Sequence, residues 1–213
     1  ANGFFAERGK VPPFIVTLAM LFVVRGLVNA YLGGEEIVVP RAQTPVLREL
    51  ATGKIVGVPV MVWVCVVICC FAAFFMRRTR WGLRTYAVGS SEESASRAGI
   101  RVSRHRLGLY AVAGLLSAVG GLMYLARLSD APADLATGEE FYVITAAVLG
   151  GASLFGGRGS MLGTVIGLAI SAVLLEGLVI IGVNQYWQDV AIGAVLVAAV
   201  YLDQFRRRLR QRP

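Results

Sequence analysis

The chain has 213 residues, 56% of them hydrophobic, with a mean hydropathy of +0.67. Water-soluble domains are less apolar, and the excess falls in blocks, so the composition points to an integral membrane protein. The formal charge is +8, from 21 Lys and Arg against 13 acids. The basic residues lie between and after the apolar blocks and not on a polar, foldable domain, which argues against nucleic-acid binding and follows the positive-inside pattern.

The chain opens Ala-Asn-Gly, with no cleavable signal pattern before the first apolar block. That beginning is expected of a piece of a longer polypeptide. A membrane-crossing helix needs about 20 mostly apolar residues. Six segments qualify or nearly so: 14–32, 55–76, 107–126, 141–155, 161–183 and 186–205. The expected fold is therefore all-α, a polytopic transmembrane helical bundle in a single domain over 1–213. The fourth segment is short. It is expected to be a short crossing, a broken helix or a re-entrant segment, since irregular backbone at membrane depth survives only against protein or a cavity.

The first crossing contains Arg25 and the fifth Glu176. Ionisable groups in hydrocarbon are costly and call for a partner. At ~1.5 Å per residue, Arg25 lies about 17 Å and Glu176 about 22 Å from their inner ends, close enough in depth to pair. They form a structural bridge, or they line a polar pathway, or Arg25 snorkels outward. In the second crossing Cys65, Cys69 and Cys70 have no His or acid beside them. They read as small, buried, weakly polar side chains of a lipid-embedded helix, with no disulfide framework.

Segment 77–106 carries Arg77, Arg78, Arg80, Arg84, Arg97, Arg101, Arg104 and Arg106 against Glu92 and Glu93. The tail, 206–213, adds Arg206, Arg207, Arg208, Arg210 and Arg212. Segment 127–140 instead holds Asp130, Asp134, Glu139 and Glu140 against Arg127. The Arg-rich segments are expected in the cytoplasm and 127–140 outside. Six crossings then put both ends inside. His105, among the arginines, reads as a solvated residue without metal or catalytic partners.

Within the Arg-rich segment, SSEESASRAGI at 90–100 predicts a small helix from about Ser91 to Ala98. Ser90 and Glu93 have capping-box spacing. Glu92 and Glu93 favour the positive helix end, Glu93 and Arg97 are an i,i+4 pair, and Gly99 is placed to terminate the helix. Ala95 and Ala98 give a small, smooth face. Two turns are not stable alone in water, so the rest of the chain or a partner must hold them.

Further on, LGGASLFGGRGS at 149–160 gathers Gly150, Gly151, Gly156, Gly157 and Gly159. A phosphate-binding loop would need Gly-Lys-Ser or Gly-Lys-Thr, and the two lysines are Lys10 and Lys54. Tight turning and close helix contact are the expectation. The fifth crossing adds Gly163 and Gly167, then Ser171, and the third has Ala113, Ser117 and Gly121 at four-residue spacing. Such spacing lets helices approach closely.

Four stretches together resemble one family: PPFIVTL at 12–18, TRWGLRTYAVGSSEESASRAGI at 79–100, AAVLGGASLFGGRGSMLGTVIG at 146–167 and YWQDVAIGAVLVAAVYLD at 186–203. The family is the membrane-spanning permease subunits of bacterial ABC importers for monosaccharides, of the ribose, xylose and arabinose type. The resemblance implies a coupling helix that docks on an ATP-binding subunit, carried here by Ser91, Glu92, Glu93, Ala95, Ala98 and Gly99. Ser90 and Ser91 replace the usual Gly-Asn, Ser94 stands where Ala is usual, and the basic residue comes one place later, at Arg97. Arg25 and Glu176 match family positions that are usually polar. The resemblance also implies a C-terminal portion of a longer permease, a partner ATPase, a periplasmic sugar-binding protein, a second permease subunit and an inner-membrane location. Catalytic residues, metal ligands and cofactors are not expected. The competing readings are an importer of branched-chain amino acids or other small cargo, and a membrane anchor or assembly subunit without a pathway. An intramembrane enzyme finds no nucleophile and base set.

Overall fold

The computed structural model describes residues 2–9, 11–33, 35, 37–38, 49–50, 52–132, 135–154 and 156–210. Asp134, Phe155 and Arg212 lie outside the described residues. The described residues are mostly helical, and the chain divides into two compact units, residues 1–68 with 99–135, and residues 69–98 with 136–213.

In the first unit, α1 (Asn2–Gly9) packs against α2 (Pro13–Leu32) and α6 (Val102–Leu128). Gly3 makes the approach possible: a Cβ there would sit 2.9 Å from the Tyr110 ring. The Arg106 guanidinium meets the Glu7 carboxylate at 3.2 Å. Pro13 stands in the first turn of α2, where its missing N–H is no loss. Gly33, at φ +63°, ends that helix by donating to the Asn29 carbonyl.

Two short pairings follow: β1 (Ile37–Val38) runs antiparallel to β4 (Asp130–Ala131), and β2 (Lys54–Ile55) to β3 (Val58–Pro59). The second corrects an expectation. The hydropathy pattern begins the second crossing at residue 55, but α3 runs Val60–Arg78. Val56 and Gly57, at φ +54° and +79°, close a two-residue hairpin that consumes the missing turn. The Trp63 indole N–H donates back to the Ile55 carbonyl. His105 is another correction, for it is buried in the first turn of α6.

In the second unit, α4 (Arg80–Ser90) follows α3 after a break at Thr79. The Thr79 hydroxyl caps α4 by accepting from the Gly82 N–H and donates to the Phe75 carbonyl. Then come α5 (Glu92–Arg97), α7 (Glu139–Leu149), α8 (Met161–Ile180) and α9 (Gln185–Arg210). Helix α7 packs on both α8 and α9. The α7–α8 crossing is as tight as backbone allows: a Cβ on Gly150 would strike the Gly163 carbonyl, and one on Gly167 the Ala146 carbonyl.

Among the described residues, five helices are long and apolar enough to cross a membrane: α2, α3, α6, α8 and the Gln185–Phe205 part of α9. The fourth expected segment differs. Helix α7 starts at Glu139, two residues early, and stops at Leu149. Its 11 residues extend ~16 Å, about half of the ~30 Å hydrocarbon core. Gly150 caps the helix by donating its N–H to the Ala146 carbonyl, and Gly151, at φ +88°, turns the chain away.

The long helices expose large apolar side chains. Phe22 is 72%, Phe71 67% and Val173 74% exposed, and α3 buries no residue at all. Cys65 and Cys70 are exposed on it. A soluble protein would not present such surfaces, whereas lipid tails are their natural solvent. Helix α7 is the contrast, with Thr145, Ala146 and Val148 buried within its short length.

Candidate functional site

The small polar helix α5 forms where the serines and acids predict one, with a different cap. Ser91, not Ser90, is the N-cap: its backbone is extended and its hydroxyl accepts from the Ser94 N–H at 3.2 Å. Ser90 is still the last residue of α4. The two helices thus share Ser91, whose N–H closes α4 on the Ala87 carbonyl while its side chain opens α5. A capping box from Ser90 to Glu93 is lost for that reason. Arg97 and Glu93 pair at 2.6 Å, as i,i+4 spacing predicts. Both side chains are more than three-quarters exposed, so water competes and the pair contributes little stability. Gly99, at φ +81°, ends the turn.

The expected smooth alanine face is divided. Ala95 is 3% exposed and packs into the protein, while Ala98 is exposed. What α5 offers outward is Glu92, Glu93, Ser96 and Arg97. It is a compact polar knob, rooted through Ala95.

The glycine-rich turn holds the root of that knob. Gly156 and Gly157 have φ of +87° and +76°, open to glycine but strained for other residues. A Cβ on Gly89 would lie 2.7 Å from the Gly157 nitrogen, and one on Gly157 would lie 2.9 Å from the Ser90 Cα. Gly156 touches the Gly89 carbonyl as closely. The Tyr86 hydroxyl donates to the Gly159 carbonyl at 3.0 Å. The turn braces itself through the Ser153 N–H, which donates to the Arg158 carbonyl at 3.1 Å. The Ser153 hydroxyl then bonds Asp203 of α9 at 2.9 Å. Sequence reasoning named the glycines but missed Tyr86, Gly89, Ser153 and Asp203. An acid late in an apolar helix was the one signal for Asp203, and nothing local marks the others.

Arg25 and Glu176 fall in different units. Arg25, half-buried, lines an open groove of about 570 Å³ with Asn2, Thr17, Leu21, Val24 and Val28. Glu176 is exposed on α8. Among the described residues there is no group of three or more His, Cys, Asp and Glu able to hold a metal ion.

The chain matches, over residues 1–200, the model of the family described as branched-chain amino acid transport system, permease component. It is 38% identical over 203 residues to the ribose import permease protein RbsC of Bacillus subtilis, covering 95% of this chain and 63% of that one. It is 34% identical over 216 residues to the fructose import permease protein FrcC of Rhizobium meliloti, covering 98% of this chain and 59% of that one. With the L-arabinose ABC transporter permease protein AraH of Azospirillum brasilense it shares 31% over 210 residues, 99% of this chain and 61% of that one. The chain thus spans about three-fifths of the length of these curated relatives. No solved structure matches it. A match over nearly the whole chain, on a fold of apolar helices, leads to one assignment: the chain belongs to this family of transport-system permease components.

Proposed function

We propose that the chain is the membrane-spanning subunit of an ABC importer that moves a monosaccharide inward across the bacterial inner membrane. A separate cytoplasmic ATPase drives it, a periplasmic binding protein delivers the sugar, and a second permease subunit completes the pathway. The observation that carries this reading is the exposed polar knob of α5, capped at Ser91 and rooted at Ala95. It is a capped, compact feature whose Glu92, Glu93, Ser96 and Arg97 are exposed, of a size to sit in a groove of a partner. Relatives named for ribose, fructose and arabinose import support the sugar. The chain itself is read as non-catalytic, with ATP energy arriving mechanically.

Both ends are read as cytoplasmic. Gly156 and Gly157 touch Gly89 and Ser90, so the glycine turn lies on the side of the Arg-rich segment, whereas α7 starts beside acidic Glu139 and Glu140. Helix α7 and the turn together then make the sixth passage. Arg25, in its groove, and Glu176 are read as polar lining of the pathway.

Co-purification tests the docking. Full-length permease and its ATPase, expressed together, should yield ATPase with the wild type and lose it with Glu92→Arg/Glu93→Arg. No ATPase with a folded wild type overturns the reading and favours a membrane anchor. The family description favours a second cargo, branched-chain amino acids. Uptake of labelled ribose against labelled leucine in proteoliposomes decides between them.

A further inference from the structure

The docking knob and the helices that would open a pathway are separate pieces of chain. Something has to make one move with the other. We propose that the glycine turn, through Ser153 and residues 156–159, is that link, a clasp that makes α4, α5, α7, α8 and α9 a single moving body, with Tyr86 as its latch. The inference rests on the docking role of α5.

Three observations carry it. First, the contact is backbone on backbone. Gly89, Gly156 and Gly157 meet with no side chain between them, at separations that leave no room for a Cβ. Backbone in direct contact has no rotamers to absorb a displacement, so a push on the Ser90–Ser91 junction passes to the turn. Second, the contact sits at the root of the knob and not on its exposed face: Ser90 ends α4, and Ser91 caps α5. Third, the turn is tied at its other side to each of the remaining helices. It continues α7 through Gly150, whose backbone lies against Gly163 of α8, and it reaches α9 through Ser153 and Asp203. The Tyr86 hydroxyl on the Gly159 carbonyl closes the clasp across 73 positions of sequence. If the turn served only to reverse the chain, a contact with α4 would be unnecessary.

The test uses the full-length permease with its ATPase in lipid nanodiscs. With the native cysteines, Cys65, Cys69 and Cys70 among them, replaced by serine, spin labels go on Leu83→Cys in α4 and Leu162→Cys in α8, both exposed positions, in permease diluted with unlabelled subunit so that label pairs lie within one chain. The label-to-label distance is compared without nucleotide and after trapping with ATP and vanadate. The clasp predicts one narrow distance, the same in both states. Tyr86→Phe and Gly157→Val should broaden it in the trapped state, while for Tyr86→Phe, which only removes the hydroxyl bonded to Gly159, ATPase recovered per permease stays at the wild-type level. A wild-type distance that shifts on trapping by about a helical turn, ~5 Å, overturns the clasp, since α4 would then slide past α8. A Tyr86→Phe distribution identical to wild type in both states overturns the latch, whatever becomes of Gly157→Val. Failure of wild type to retain any ATPase instead removes the docking role, and the proposal with it.

Discussion

The Ser153 hydroxyl donates to the Asp203 carboxylate at 2.9 Å, joining the glycine turn to the last helix across 50 positions of sequence. Both groups are partly buried, and a hydrogen bond to a charged acceptor in such a place contributes about 1.5 kcal/mol. Asp203→Leu should lower the unfolding free energy by about that much, and Asp203→Asn, which keeps an acceptor, by less. Mild-denaturant titration of the purified permease in detergent measures both. Equal losses would show that the carboxylate charge matters and not its bond.

Along α8, two glycines face different surroundings. A Cβ on Gly167 would strike the Ala146 carbonyl, whereas Gly177 has nothing within 4 Å. Gly167→Ala should therefore cost about 1–3 kcal/mol through overpacking. Gly177→Ala should be neutral or slightly stabilising, by up to ~1 kcal/mol. Thermal unfolding followed by size-exclusion chromatography separates the two. Similar behaviour would remove the close α7–α8 crossing.

The cap residue gives a sharp comparison. Ser91→Ala removes the acceptor for the Ser94 N–H and should destabilise α5 by about 1 kcal/mol. Ser90→Ala should leave α5 unchanged, because Ser90 belongs to the preceding helix. Hydrogen exchange over residues 92–98 reads this directly. Faster exchange in Ser90→Ala than in Ser91→Ala would restore the Ser90 capping box.

For Arg97 the two roles predict opposite things. Its pair with Glu93 is exposed, so Arg97→Gln should change stability by less than about 0.5 kcal/mol. If the outward face of α5 docks the ATPase, the same change should lower ATPase recovery with no loss of folded permease. Stable protein with undiminished recovery would take Arg97 out of the docking face.

The long helices were legible because lipid demands a property that hydropathy measures directly. The apolar runs around Leu21, Val67, Leu115 and Leu168 all became helices. What escaped was backbone geometry. Val56 at φ +54° is a conformation few β-branched residues adopt, so no pattern warned that α3 would begin at Val60. The end of α7 at Leu149 was hidden because Ala152 and Leu154 continue the apolar run while Gly150 and Gly151 turn the backbone. In α5, the Gly99 terminus and the Glu93–Arg97 pair followed local rules and were found. The burial of Ala95 with exposure of Ala98 depends on how α5 is seated, which local rules do not contain. The same holds for His105, buried by its surroundings in the fold and not by its neighbours in sequence.

The shortness of α7 has a consequence for how the protein is made. Machinery that inserts helices weighs about 20 residues of hydropathy at a time, and 11 residues fall well below that. Helix α7 cannot enter the bilayer on its own account. If α7 is part of the proposed sixth passage, it is expected to insert only with α8, whose Gly163 and Gly167 present the bare backbone on which it settles. A nascent chain halted just after the glycine turn should leave α7 open to aqueous thiol reagents at an engineered cysteine, and release of α8 should close that access.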